Sequence, residues 1–175
     1  MRRTLSALVI ASLAVSLTGC AAGFNSSTRN ITQVTDGAEA QIIQDGNNIR
    51  VVNLLVVEAG AGNGVLVGTV VNAADEEDAL LGVAINGTVL AYTGKNNLPK
   101  NSPIIFEGDR ANAKAVLRGF GGTAGSNVKV GLFFAKAGSI TLNAIVREAK
   151  EEYAGISGAI DVPMVSPSPT PTTTK

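Results

Sequence analysis

Four features of this chain carry residue types that could do chemistry. The sharpest is a lone cysteine: Cys20, behind Leu17-Thr18-Gly19, is the only one in 175 residues. A cysteine sulfur is a nucleophile that can accept a lipid, and small residues before it suit a narrow protease groove. A single cysteine excludes an intramolecular disulfide and a thiolate zinc cluster. Histidine is absent, which removes the commonest general base and metal ligand at neutral pH. The second feature, Asp75-Glu76-Glu77-Asp78, is a dense acidic patch. Carboxylates can gather a hard cation such as Ca²⁺, but the alternating Asp/Asn spacing with a central glycine is missing, so a solvated turn accounts for it better. The third, Gly60-Ala61-Gly62-Asn63-Gly64, has the look of a dinucleotide loop. Such a loop must lead into a helix that aims its N-terminus at the pyrophosphate, and residues 65–71 (VLVGTVV) read as a strand, so a hairpin loop is expected. The fourth, residues 119–125 (GFGGTAG), lacks the Lys-Ser/Thr ending of a phosphate-binding loop. Asn25, Asn30 and Asn86 open glycosylation triplets that read as chance matches. No catalytic residue, cofactor-binding residue, cofactor or metal ligand is assigned, and the protein reads as a non-enzyme.

Cys20 gains its meaning from what precedes it. Met1-Arg2-Arg3 is a basic start, and residues 5–17 are apolar apart from serine. About 13 apolar residues are too few to cross a bilayer as a helix, but they fit the core of an export signal. Leu17-Thr18-Gly19-Cys20 resembles the bacterial lipobox, which implies diacylglycerol on the Cys20 sulfur and cleavage between Gly19 and Cys20. An ordinary secretory signal would not constrain a cysteine, whereas this one sits where the lipobox needs it. The organisation expected is a lipoprotein signal peptide at 1–19, a flexible tether at 20–35, a β-sandwich at 36–162 and a disordered Pro/Ser/Thr-rich tail at 163–175. The tail holds four of the six prolines. Membrane attachment through the diacylglycerol anchor, on the extracytoplasmic side, follows from the lipobox.

Charge bears on partners. Losing Arg2 and Arg3 takes 14 basic side chains to 12 against 14 acidic ones, a formal charge of −2. No basic block remains, so phosphate-driven nucleic-acid binding is excluded, and the charge does not reinforce a membrane anchor.

The elements that must position any site read as strands. Short runs of Val, Ile, Leu and Ala broken by Gly and Asn give candidates at 40–43, 49–57, 65–72, 80–85, 88–92, 104–107, 113–117, 128–135 and 140–147. This spacing predicts an all-β sandwich or barrel. Ile140, Leu142, Ala144 and Val146 alternate with Thr141, Asn143 and Arg147, the period of a half-buried strand. Asn86-Gly87 is the strongest hairpin signal, because both residues tolerate the positive φ of a type I′ turn. Residues 147–153 (REAKEEY) are compatible with a helical turn or a loop. With seven aromatics and no Trp, the core must be aliphatic.

Residues 64–83 (GVLVGTVVNAADEEDALLGV) resemble a stretch of the PCu(A)C-type periplasmic copper chaperones, small cupredoxin-like β-sandwiches in which an Asn-containing turn and acidic residues precede a Leu-Val-Gly strand. Residues 117–119 (LRG) and 128–142 (VKVGLFFAKAGSITL) are similar to the same family. The resemblance implies a cupredoxin-like or immunoglobulin-like antiparallel β-sandwich. It also implies Cu(I) ligands of the His and Met type, which suit that ion by softness. At those positions this chain has Tyr92, Lys114 and Val116, and its only methionines are Met1 and Met164. The expected function is a lipid-anchored binding or structural protein of the cell envelope, with a protein partner there and no metal site. The alternative is an accessory factor in copper delivery to a respiratory oxidase, working with a partner that supplies the ligands.

Overall fold

The computed structural model describes residues 36–160. The expectations for the signal peptide, Cys20, the tether and the tail lie outside them. Aliphatic, β-branched runs cut by turn residues form strands throughout, because such side chains pack well on a pleated surface. In order these are β1 (Ala38–Gln44), β2 (Asn47–Ala59), β3 (Asn63–Asn72), β4 (Asp78–Ile85), β5 (Thr88–Val89), β6 (Ala91–Gly94), β7 (Asn97–Leu98), β8 (Ile104–Phe106), β9 (Ala113–Leu117), β10 (Asn127–Phe134) and β11 (Ser139–Glu148). A 3-10 turn at Glu151–Tyr153 follows, which settles the helical alternative for residues 147–153.

Two ladders form the cupredoxin-like sandwich. One joins β1, β2, β3, β8, β9 and β6; the other joins β5, β4 and β10, with β7 paired to β4. β11 belongs to both: it pairs antiparallel with β10 through Ile145, then parallel with β2 from Val146 to Glu148. That pairing and the single Phe106–Ala113 contact of β8 with β9 are the parallel pairings in an otherwise antiparallel fold.

The bend that allows this handover is built into β2. Its register with β3 shifts between Val52 and Leu55, where Asn53 takes a φ of +53°. Facing it, Gly68 has a φ of +146°, and a Cβ there would lie 3.0 Å from the Leu54 backbone. A bulge of this kind bends and twists a strand. Before it β2 pairs with β1, and beyond it β2 pairs with β11.

The expected hairpin is present: Asn86 and Gly87 have φ of +48° and +84°, as a type I′ turn requires, with Ile85 opposite Thr88. Leu142, Ala144 and Val146 are buried while Thr141 and Asn143 are exposed, matching the sequence period. The strand read at 88–92 is instead two strands. Leu90 turns into the core, its N–H donates to Val83 O at 2.9 Å, and the chain then crosses to the other ladder as β6. The core is aliphatic, built on Leu54, Leu66, Ile104, Val130 and Leu132, with Phe106 its largest fully buried side chain.

Candidate functional site

The positions singled out by the family resemblance lie on the β6–β9 ladder, where Ala91 faces Val116, Tyr92 faces Ala115 and Thr93 faces Lys114. Side chains alternate between the faces of a strand, so Tyr92 stands on one face and Lys114 and Val116 on the other. Tyr92 packs on the core, its ring edge-on to Phe106 at 6.0 Å, and its hydroxyl donates to Lys95 O. Burial pushes the phenol pKa up to about 12. Lys114 Nζ pairs with Glu107 at 3.0 Å beside a shallow surface recess lined by Thr93, Asn112 and Ala113. Val116 is buried with Ala59, Val65 and Ile160 in a small second cluster. The three side chains do not converge, and a phenol, an ammonium and an isopropyl group do not fit Cu(I).

Val116 is buried because the chain after β11 folds back. Ile156 and Ile160 pack on the second cluster, and Arg118 donates to Ile160 O at 3.4 Å. Gly158 passes so close to Asn63 that a Cβ would lie 2.7 Å from its side chain. This strap was not read from the sequence, where residues 154–160 (AGISGAI) show no period.

The acidic patch does not act as a patch. Asp75 pairs with Lys100, which holds its carboxyl below the usual range. Glu76 meets Lys136 Nζ at 3.2 Å, and Glu77 accepts from Asn97 Nδ2 at 3.3 Å. Asp78 is buried: Oδ1 accepts from the Ala79 and Lys136 amides at 2.7 and 2.9 Å, and Oδ2 from the Ala137 amide at 2.9 Å. Its job is to hold the β10–β11 turn against the start of β4. Asn72 works beside it, donating to Glu76 O and Leu98 O at 2.6 and 2.9 Å and accepting from the Ala74 amide at 2.9 Å. Among the described residues no group of three or more His, Cys, Asp or Glu side chains is placed to hold a metal.

The glycine runs are connections. Gly60–Gly64 turns β2 into β3, with Ala61 and Gly62 at φ of +64° and +69°. The loop after β9 lays Phe120 over Gly64 and Gly122, where Cβ atoms would lie 2.6 and 2.3 Å from its ring.

No family model and no curated protein sequence matches the chain. Solved structures do. A copper-bound PCuAC domain from PmoF2 is 21% identical, with a TM-score of 0.52 over 63% of this chain and 98% of that one. An apo PCuAC domain from PmoF1 is 18% identical, with a TM-score of 0.53 over 63% and 99%. The chain has the PCuAC-domain fold. At these identities the likeness extends to the scaffold. On the β6–β9 ladder of this PCuAC-like scaffold Tyr92 makes a core contact, Lys114 an ion pair, and Val116 lies under the strap.

Proposed function

We propose that this PCuAC-like domain serves a non-enzymatic binding or structural role in the cell envelope, held by lipid on Cys20, and does not carry copper itself. The observation that supports this reading is the burial of Val116 under Ile160, with Tyr92 on the opposite face. A soft-metal site needs several soft donors meeting in one place. The test is a competition titration of the mature chain, with Cys20→Ser to remove its free thiol, against a Cu(I)-specific chelator. The chelator is expected to keep the metal. Stoichiometric withdrawal of copper from a chelator of about nanomolar affinity would overturn the reading, since binding that tight takes several soft donors converging on the ion.

The likeness to a copper-bound PCuAC domain favours a second reading, an accessory role in copper delivery with ligands from a partner. Recovery of oxidase assembly factors with the anchored protein from native membranes would support it over the first.

A further inference from the structure

The outer face of the β4–β10–β11 sheet carries apolar side chains that the described fold leaves bare. Leu81 is 68% exposed, Val89 71% and Phe133 45%. They sit together: Phe133 faces Gly82 across the ladder, Val89 faces Ala84, and Leu81 is the extra residue where the β4–β10 register shifts. A bulge residue drops out of the ladder and its side chain is re-aimed. The surface between them is low, built of Gly82, Ala84 and Gly131, and a Cβ on Gly131 would touch the Phe133 ring at 3.5 Å. The remaining exposed positions of β10 and β11 on this face are Asn127, Lys129, Ser139, Thr141 and Asn143. Among the exposed positions of β10 and β11 on this face Lys129 is the charged one, and the next charged side chain along β11, Arg147, is paired with Asp36 at 2.9 Å.

Size and charge decide between occupants. Three side chains fall well short of the roughly 1,000 Å² that a stable protein interface buries, so a second copy would be held poorly. A lipid surface needs less, because a tether supplies the concentration, on the order of millimolar for a short flexible linker. Cys20 stands 16 residues before Asp36, a reach of at most about 55 Å. Anionic headgroups attract Lys129 and would repel a carboxylate. We propose that this face rests on the bilayer, with Leu81, Val89 and Phe133 at the headgroup–acyl boundary and Lys129 among the headgroups. The proposal rests on the reading of Cys20 as the lipid anchor.

The chain has no tryptophan, so Phe133→Trp gives a single depth probe, with Leu81→Trp as a second and Ile43→Trp, on exposed β1, as the control. Each mature chain is coupled through the Cys20 thiol to a maleimide phospholipid in phosphatidylcholine–phosphatidylglycerol vesicles, and quenching by spin-labelled lipid is read. Coupling makes the result independent of cellular lipidation, which metabolic acyl labelling of the wild type and Cys20→Ala tests separately. Blue-shifted emission and several-fold stronger quenching at 133 and 81 than at 43 are expected, weakened by Lys129→Glu. Equal quenching at all three sites, or stronger quenching at 43, would overturn the proposal. So would a concentration-dependent blue shift at 133 without vesicles, which would point to self-association.

Discussion

Asp78 shows how a residue that looks like a ligand becomes a fastener. Its two oxygens take three backbone N–H groups, two of them from the β10–β11 turn, 58 and 59 residues along the chain. Removing the acceptor strands those donors, and hydrogen bonds to a charged group contribute about 1.5–3 kcal/mol each. Asp78→Ala is expected to lower stability by about 3 kcal/mol, and Asp78→Asn, which keeps one acceptor oxygen, by less; urea denaturation measures both. Tyr92 makes the matching point for titration. Burial raises its folded pKa to about 12 while an unfolded tyrosine ionises near the ordinary 10.0. The unfolded chain therefore loses its proton first, so this contribution is complete below about pH 10 and is lost as the pH rises to about 12. Ultraviolet titration should show a late-ionising phenol that disappears in Tyr92→Phe, and the wild type's alkaline loss of stability should be shallower in that variant. A normal phenol titration would show that the ring is not held in the core. Neither role was legible in the sequence: an acidic run reads as solvated until the turn that packs on it is known, and a tyrosine shows no sign of which face it takes.

At the scale of elements, local signals were legible and long-range ones were not. Asn86-Gly87 and the alternation from Ile140 to Val146 predict their structures because turn chemistry and strand period act within a few residues. The split of 88–92 at Leu90 and the two-residue β7 depend on which ladder has room for them, which no local pattern records. The sandwich was legible from strand spacing and from the family resemblance together. The strap was not, because residues 154–160 are mostly small and aperiodic, and the isoleucines among them find their partners in distant strands. Ile160 is its chief apolar contact, 9% exposed. Ile160→Ala should cost about 2 kcal/mol, the low end for a large-to-small change at a site that can partly collapse. If its melting matches the wild type, the strap does not contribute to stability.

At the scale of the molecule, the described residues hold a core of their own, in which the larger cluster runs from Ile42 to Val146 and the smaller one ends at Ile160. A chain of residues 36–162 should therefore melt cooperatively, with the β-sheet circular dichroism of the mature protein. A shortened chain that melts without cooperativity would show that residues beyond these limits belong to the fold. Cooperativity also depends on where the ladders join, and among the described strands that is β11 alone. One of its partners, β10, is the preceding strand, but the other is far away in the chain: Val146 sits beside Val56. Such distant pairing makes folding slow, on the order of milliseconds to seconds for sheets of this kind. A polypeptide emerging from its N-terminus has made ten strands before the one that latches them. Until that strand arrives, β2 and β10 present open edges, and open edges invite a neighbour's strand. The hazard of aggregation thus falls on the nascent chain, and a truncation just short of Ser139 should leave inclusion bodies rather than a smaller soluble domain.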